Sequence, residues 1–423
     1  MYQERKSLHR AYLKDEPELG RRHKGDRWLL IICALLLTIG LTVIYAIGPA
    51  LSALNNVSST YFTFKQLLAI GLSVVGFIIA ATVPLKYWKI HYKWILGLAI
   101  FATLLAVVLP VNPQYPAHRW VRLGGFSFQS VELLKFGIII WFASFLAVVI
   151  KNNQIKEFNK TAKPILIAIV VIGALVAAIQ SDLGSMAVIV AIFVSMAFIA
   201  GLPMKRVALI GVAIAIGVIL MISIFPYRRA RLETYLHPQA NCQASGYQVC
   251  QALIAVGSGG FFGLGLGKSV QAYGYTPEAG NDSIFAIFAE TFGFFGCSLL
   301  LFFYMALFSR LKDIAQRTSD DFSRLVIVGI IAWIAVQASI NIGAMIGILP
   351  LKGITLPFIS YGGTSVVFVS SLIGVAFQIS RYTSYQKIGI RTEADRSKNN
   401  EDISSRRRIG GTYNPGARSS FRD

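Results

Sequence analysis

The sequence predicts an all-α integral membrane protein with ten transmembrane helices and a long extracytoplasmic loop between helices 7 and 8. Of its 423 residues, 55% are hydrophobic and only 14% are charged, and the mean hydropathy is +0.60. A soluble domain of this length could not bury so many apolar side chains. The apolar residues also occur in separate runs of about 20, the length that an α-helix needs to cross a bilayer.

Each apolar run is followed by a polar or charged connection, so each is predicted to be a separate span. The runs cover residues 28–48, 64–83, 94–110, 131–150, 164–180, 183–201, 206–225, 284–308, 325–346 and 363–380. The first follows a mostly polar stretch and is long enough to stay in the membrane, unlike a cleaved signal peptide. The expected regions are a cytoplasmic tail over 1–27, a membrane domain over 28–383 that includes the loop 226–283, and a basic disordered tail over 384–423.

The basic residues predict the orientation of the helices. Lysines and arginines concentrate in alternate connections and in both tails, which is the pattern of cytoplasmic segments. The outer connections are then 55–63, 111–129, the turn at 181–182, 226–283 and 347–362. This distribution explains the net charge of +20 by attraction to anionic membrane lipids. A nucleic-acid partner is not expected.

The longest outer connection, 226–283, is too rich in apolar residues and glycine to be a disordered linker. We expect it to fold back along the membrane surface, with a re-entrant or interfacial part. Cys242 and Cys250 lie close together within it. A disulfide and two unpaired thiols are both compatible with this spacing.

An acidic residue at the end of this loop is the first candidate for chemistry. The polar stretch 274–283 places Asp282 directly before an apolar helix, with Glu278 four residues earlier. A carboxylate at a membrane surface is unfavourable, so its presence there indicates a function.

Basic residues on the outer side are candidates for binding an anion. Arg228, Arg229 and Arg231 cluster where helix 7 emerges, and guanidinium groups bind phosphate or pyrophosphate through paired hydrogen bonds. An interaction with lipid phosphates is the alternative. Glu132 and Lys135 lie three residues apart near the start of helix 4. They share a helix face and can form an ion pair that serves packing or substrate positioning.

Several common sites are excluded by their spacing. No set of His, Cys, Asp and Glu residues has the spacing of a zinc site, and no Gly-x-Ser-x-Gly motif is present. The glycine-rich run 260–269 has Phe262 where a phosphate-binding loop requires glycine. Asp182, between two apolar runs, is better explained as a helix N-cap than as a ligand.

A series of short motifs runs through the membrane domain. They are Phe64–Gln66, Arg119–Gly124, Gln129–Lys135, Gln180–Gly184, Gly246–Gln248 with Gln251, Pro277–Ala279 leading to Asp282, Ile284–Ala286 with Glu290, and Leu356–Ser365. In these motifs, over about residues 26–382, the chain resembles the SEDS family (shape, elongation, division and sporulation), represented by FtsW and RodA. Family members have Pro-Ser before the glutamate, His-Thr before the aspartate and Phe after it. This chain has Ser130–Val131, Gly280–Asn281 and Ser283 there.

The resemblance implies an activity and a main partner. Members of the family are peptidoglycan glycosyltransferases that polymerise lipid II at the outer face of the cytoplasmic membrane, together with a class B penicillin-binding protein transpeptidase. Asp282 matches the family's loop aspartate and would act as general base on the acceptor sugar's 4-hydroxyl, with inversion at the anomeric carbon. Arginines, or a divalent cation such as Mg²⁺ or Mn²⁺, would take up the charge on the leaving pyrophosphate.

The resemblance and the predicted topology also suggest a substrate-binding set and a branch of the family. The expected substrate-binding residues are Arg119, Arg229, Arg231, Glu278, Lys352 and Ser360. Lys352 before Gly353 and the two tails favour the FtsW branch. They imply a role in cell division at the septum, with other membrane proteins of the division complex as partners.

Two functions from other classes are also compatible with the sequence. A transporter could move lipid II across the membrane, and a non-catalytic membrane scaffold could serve the division or elongation machinery. The polar residues lie mostly on one side, whereas a transporter should have charged sites near the midplane. A scaffold would have no need of Asp282.

Overall fold

A computed structural model describes residues 23–109, 119–123, 126–236, 242–243, 246–351 and 353–383, with only the backbone at 122, 123, 126, 227 and 231. Most of the predicted tail over 1–27, the predicted tail over 384–423 and the candidate residue Lys352 lie outside this part of the chain. The described residues are mostly helical, as the sequence predicts.

Among the described residues, nine helices are long and apolar enough to cross a membrane. They are α1 (Arg27–Leu54), α2 (Tyr61–Thr82), α3 (Leu85–Val108), α4 (Ser130–Lys151), α5 (Ala162–Gly173, continued by a π-helix over Ala174–Ile179), α7 (Met204–Ile224), α10 (Ile284–Arg317), α11 (Asp321–Met345) and α12 (Gly363–Ser380), and the shorter apolar helix α6 (Leu183–Ile199) lies between α5 and α7. All of these helices coincide with predicted runs. Because α6 has only 17 residues, the count of ten spans stays a prediction.

Two helices extend well beyond the apolar runs that predicted them. α3 begins at Leu85 rather than near 94, and α10 continues to Arg317 rather than ending near 308. Backbone hydrogen bonding can continue a helix into polar sequence when its side chains find partners. Lys89 of α3, for example, donates a hydrogen bond of 3.2 Å to Asp320 Oδ1. The run of apolar residues therefore marks only part of each helix.

The bundle is centred on α4, α11 and α12. α12 packs along α2, α4 packs between α3 and α11, and α6 packs against α11. Aromatic rings fill the contact between α4 and α6, where Phe142 and Phe193 meet edge to face with their centroids 4.7 Å apart. α7, by contrast, has almost no buried residues, as expected for a helix that faces lipid.

The predicted inner and outer connections lie at opposite ends of this bundle. At one end, Asp26 accepts a hydrogen bond of 2.6 Å from Arg310 Nη2, and both residues belong to predicted cytoplasmic segments. At the other end, a side chain added to Gly274 would contact Leu54 at 3.1 Å, and the Tyr361 amide donates to the Gly280 carbonyl. Candidate residues from different outer connections are thereby brought together.

A short antiparallel hairpin precedes α4. Its strands are β1 (Trp120–Leu123) and β2 (Phe126–Gln129). The amide of Ser130, the first residue of α4, donates to the Arg119 carbonyl at 3.2 Å. The sequence predicted only an outer loop here, yet the hairpin fixes Arg119 against the end of α4.

The predicted loop 226–283 contains two further helices within its described residues, α8 (Pro226–Leu236) and α9 (Tyr247–Ser258). α9 packs against α10 and α11. The chain after α9 then crosses α10 where that helix is broken at Gly293, which has φ 63° and ψ −164°.

Candidate functional site

Segments from distant parts of the sequence meet around the Asp282 carboxylate. Asp282 directly precedes Ser283, the N-cap residue of α10. A Cβ built on Gly353 would lie 3.2 Å from Asp282 Oδ2 and 3.7 Å from Arg119 Nη1. A carboxylate and a guanidinium therefore face the same small space beside Gly353, and only a residue without a side chain leaves that space open.

The backbone of Asp282 is held from within the bundle by Asn341, a buried residue near the end of α11. Its amide nitrogen donates hydrogen bonds of 2.7 Å to the carbonyls of Asp282 and Ile354. One side chain thus joins the loop before α10 to the segment after α11. Asn341 was not among the predicted site residues, although a polar residue inside an apolar span is a recognisable signal.

Ser360, an expected substrate-binding residue, is buried beneath the same loop. Its hydroxyl donates to the Asn281 carbonyl at 2.8 Å and accepts from the Leu356 amide at 2.7 Å. These contacts make it a support for the residue before Asp282. A direct contact of Ser360 with substrate stays a prediction.

Tyr361 lies beside the Asp282 loop and is a possible competitor as an acid–base group. Burial, and to a lesser extent the neighbouring Tyr61, raises the pKa of Tyr361 to about 12. The phenol is therefore neutral near pH 7 and does not act as a base there. Tyr361 is therefore not a candidate for the general base of this site.

Arg119 is anchored by the turn between α5 and α6. Its Nη2 donates to the Ser181 carbonyl at 2.8 Å, and its Nε donates to the Gln180 carbonyl at 3.4 Å. Asp182 Oδ2 lies 3.9 Å from Nε. Asp182 itself caps α6, accepting from the Ser185 amide at 3.0 Å, so the predicted N-cap is present. The guanidinium is thereby held in place beside Gly353.

Glu278 lies at a sharp bend of the same loop. It is exposed, has φ +53°, and its Oε2 accepts a hydrogen bond of 2.6 Å from Asn281 Nδ2. Ser283 Oγ donates to the Pro277 carbonyl at 2.8 Å. Asn281 and Ser283, the residues that depart from the family pattern, therefore stabilise the loop that carries Asp282.

Glu132 and Lys135 form a buried ion pair in α4, 2.7 Å apart and 3% and 1% exposed. Lys135 Nζ also donates to Gln337 Oε1 at 2.7 Å, and the Gln337 amide donates to the Thr355 carbonyl at 3.1 Å. The ring of Trp333 lies 4.5 Å from Lys135 Nζ. This network connects the predicted pair to the segment next to Gly353. Gln337 was not singled out by the sequence, although it too is a polar residue in an apolar span.

The arginine cluster divides between a structural residue and exposed positions. Arg228 is buried, donates to the Ala177 carbonyl and lies 4.5 Å from the Phe225 ring, and burial lowers its pKa. Arg229 is exposed on α8, and the side chain of Arg231 lies outside the described residues. The α8 helix also reaches the segment after α11, because Tyr235 Oη donates to the Ile348 carbonyl at 2.6 Å. Substrate binding by Arg229 and Arg231 stays a prediction.

Cys242 and Cys250 are joined by a disulfide at the start of α9. Gln248, between them in the sequence, donates a hydrogen bond of 3.1 Å to Ser283 Oγ. The bridge therefore holds the part of α9 that contacts the residue following Asp282.

The loop carboxylates Asp282 and Glu278 are the side chains that would hold a divalent cation together with the substrate's own phosphates. Within the described ranges, no group of three or more His, Cys, Asp and Glu side chains is arranged to hold a metal ion. Mg²⁺ is commonly held by one or two carboxylates together with substrate phosphates, and Asp282 provides one such carboxylate.

Comparison with known proteins places this arrangement in a family. Residues 27–385 match the family FtsW/RodA/SpoVE, described as "Cell cycle protein". The chain belongs to this family. One relative is "Stage V sporulation protein E" of Bacillus subtilis, 37% identical over 366 residues that cover 86% of this chain and 99% of the relative. Another is the "Probable peptidoglycan glycosyltransferase FtsW" of Saccharophagus degradans, 37% identical over 364 residues, covering 84% and 92%.

Solved structures of the family share the fold. A chain from "a peptidoglycan synthase complex" matches with a TM-score of 0.69 at 22% identity, covering 86% of this chain and 99% of that chain. The Thermus thermophilus rod shape determining protein RodA matches with a TM-score of 0.62 at 23% identity, covering 86% and 98%. The apolar helices and the family together make the chain a multi-pass membrane protein, which confirms the predicted fold class.

Proposed function

We propose that the chain is a peptidoglycan glycosyltransferase that polymerises lipid II into glycan strands at the outer face of the bacterial cytoplasmic membrane. The observation that carries this proposal is the Asp282 carboxylate beside Arg119, on a loop held by hydrogen bonds from the buried side chains of Asn341 and Ser360. The family supports it, because relatives with 37% and 36% identity carry the name peptidoglycan glycosyltransferase.

Asp282 supplies the general base of the reaction. Its carboxylate removes the proton from the 4-hydroxyl of the acceptor sugar, and the oxygen forms a bond to the anomeric carbon of the donor. The bond from that carbon to the pyrophosphate breaks on the opposite face, so the configuration inverts and undecaprenyl pyrophosphate leaves. Positioned general bases contribute roughly 100-fold to 10,000-fold to such steps.

Arg119 stabilises the negative charge of the pyrophosphate. Its hydrogen bonds to Ser181 and Gln180 hold the guanidinium before substrate arrives, and a preorganised charge needs little rearrangement as the reaction proceeds. Arg229, Arg231, Lys352 and the exposed Glu278 would complete the binding of the headgroup. A bound divalent cation would add Lewis-acid neutralisation of the pyrophosphate charge.

The family supports a proposal for the setting of the protein in the cell. The FtsW names of several relatives support a role in cell division at the septum, with other division-complex proteins as neighbours. The basic residues of both tails favour cytoplasmic termini. A class B penicillin-binding protein transpeptidase is the proposed main partner. Support comes from the solved relative described under "Structural coordination of polymerization and crosslinking by a peptidoglycan synthase complex".

The decisive experiment compares Asp282→Asn and Asp282→Ala with the unaltered full-length protein, each purified with its transpeptidase partner and supplied with lipid II. Loss of the base should lower the polymerisation rate by about 100-fold or more while folding and partner binding persist. Glu157→Gln is the matched control, because Glu157 is an exposed carboxylate paired with Lys160 on the predicted cytoplasmic side.

Full polymerisation by both Asp282 variants would exclude the proposed role of this residue. Liposomes that contain the protein and labelled lipid II test the competing function. Movement of lipid II across the bilayer without polymer formation would favour a transporter.

A further inference from the structure

The chain after α9 is bonded to α10 across the break in that helix. The amide of Leu264 donates to the Glu290 carbonyl at 2.9 Å, and the amide of Phe294 donates to the Gly260 carbonyl at 2.9 Å. A break inside a membrane helix leaves backbone groups that need partners. Here the crossing segment supplies them, so the segment and α10 form one hydrogen-bonded unit.

Glycines fix the position of this crossing. A Cβ on Gly263 would lie 2.2 Å from the Thr291 carbonyl oxygen, and a Cβ on Gly293 would lie 2.4 Å from the Gly263 nitrogen. Both residues also have positive φ, where other residues are strained. The two backbones therefore touch directly, and the crossing cannot slide without losing its hydrogen bonds.

The Glu290 side chain makes a second attachment just beyond the crossing. It is 1% exposed, and its Oε1 accepts from the amides of Val270 and Gln271 at 3.1 and 3.3 Å. Its Oε2 accepts from the Ser269 hydroxyl. One buried carboxylate thus binds three donors from a single turn of the loop, and all three donors are neutral.

That turn continues into the loop that carries Asp282. The amide of Thr276 donates to the Gln271 carbonyl at 3.0 Å, and its hydroxyl donates to Gln271 Oε1 at 3.0 Å. The loop then returns to α10 through the hydrogen bond from Ser283 to Pro277. Ser283 is the N-cap residue of α10, and Glu290 lies seven residues, or about two helical turns, further along the chain. The loop is therefore attached to the first turns of α10 at both of its ends.

We propose that Glu290 is a positioning residue for Asp282. Its carboxylate fixes the turn 269–272 against α10, and the turn fixes the loop through Gln271 and Thr276. Glu290 takes no part in proton transfer or substrate binding. The inference rests on the proposed function only where it concerns catalysis, because the attachment itself is a structural claim.

A comparison of Glu290→Gln with Glu290→Ala tests this role in the full-length protein. Glutamine preserves the arrangement, since its oxygen accepts from Val270 and Gln271 and its amide donates to the Ser269 oxygen. Alanine removes all three bonds. We expect Glu290→Ala to lower kcat for lipid II polymerisation by about 100-fold, the effect of a displacement near 1 Å, with little change in KM. Glu290→Gln should retain most of the activity.

Hydrogen exchange measured by mass spectrometry tests the attachment without any assay of activity. In Glu290→Ala, peptides that contain Val270 and Gln271 should exchange faster, whereas Glu290→Gln should match the unaltered protein. Ser298→Ala is the matched control, because Ser298 is exposed on the same helix and bonds only the Phe294 carbonyl in the described structure. Ser298→Ala should change neither the hydrogen exchange of these peptides nor kcat for polymerisation.

Two results would overturn the inference. Equal loss of kcat in Glu290→Gln and Glu290→Ala would show that the charge itself acts in the reaction, and unchanged exchange in Glu290→Ala would show that the turn is held by other contacts. If Glu290→Ala fails to fold, Ser269→Ala replaces it, with faster exchange of the same peptides expected and unchanged exchange overturning the inference. The proposed function is tested by a separate result, because full polymerisation by Asp282→Asn would contradict that function without bearing on the attachment of the turn.

Discussion

Asn341 donates a hydrogen bond of 2.7 Å to the backbone carbonyl of Asp282. The donor is buried in the last turns of α11, while the acceptor belongs to the residue just before the N-cap of α10. The backbone of Asp282, and with it the carboxylate, is therefore held in position by a side chain from the interior of the bundle. The second hydrogen bond of the same amide, to Ile354, extends this support to the segment that contains Gly353.

Substitution of Asn341 should move the Asp282 carboxylate. Asn341→Asp keeps the size of the side chain but removes both donated hydrogens, and Asn341→Ala removes the side chain as well. A buried carbonyl left without a partner costs about 1–3 kcal/mol. We expect both variants to lose thermal stability in detergent and to lower kcat for lipid II polymerisation by about 10-fold to 100-fold. Full activity in both would show that this bond is not needed to place Asp282.

Breaking the buried ion pair should destabilise the protein. Lys135→Met leaves the Glu132 carboxylate buried without its cation, and removing one partner of a buried pair costs about 3–5 kcal/mol. The double variant Glu132→Leu with Lys135→Met removes both charges and should recover a large part of that loss. Thermal unfolding followed by tryptophan fluorescence or by size-exclusion chromatography measures both effects.

The control for the ion pair is Lys160→Met. Lys160 and Glu157 are three residues apart in the sequence, like Lys135 and Glu132, but their charged atoms lie 4.0 Å apart and both side chains are 54% exposed. Exposed pairs contribute about 0–1 kcal/mol. A loss in Lys135→Met no greater than in Lys160→Met would contradict a structural role for the buried pair.

Arg119 and Arg229 should affect different kinetic constants. Arg119→Lys cannot reproduce the two hydrogen bonds to the Gln180–Ser181 turn, so the cation would no longer be held beside Asp282. We expect kcat to fall by about 100-fold, as for the loss of one preorganised charge-stabilising group.

Arg229 is exposed on α8, and Arg229→Ala should mainly raise KM for lipid II. Unchanged kinetics of Arg229→Ala across a substrate titration would exclude a pyrophosphate contact.

The helices and the central acid could be predicted because their signals are local in the sequence. A run of apolar residues is sufficient to identify a span, and Asp282 stands out beside such a run. The contacts that position Asp282 could not be predicted in the same way, because they join residues far apart in the chain. Asn341 and Gln337 carried a partial signal, as polar residues in apolar spans, but nothing in the sequence specified their partners.

The break in α10 shows a second limit of sequence analysis. Gly293 lies in an apolar stretch that also fits an unbroken helix, and glycine is common in membrane helices. The break becomes stable only because the segment with Gly263 supplies hydrogen bonds across it. The sequence predicted a re-entrant or interfacial part of the loop, but not its attachment to α10.

The disulfide between Cys242 and Cys250 should stabilise the start of α9. A bridge that closes so short a loop contributes about 2–3 kcal/mol in the chain-entropy account. Cys242→Ser should therefore lower the thermal stability. It should also weaken the hydrogen bond from Gln248 to Ser283 and reduce kcat several-fold through the position of Asp282. Cys297→Ser, which alters a free cysteine of α10, is the control and should leave both properties unchanged. Non-reducing peptide mapping of the native protein gives the direct test, and the recovery of Cys242 and Cys250 as alkylated thiols would contradict the bridge.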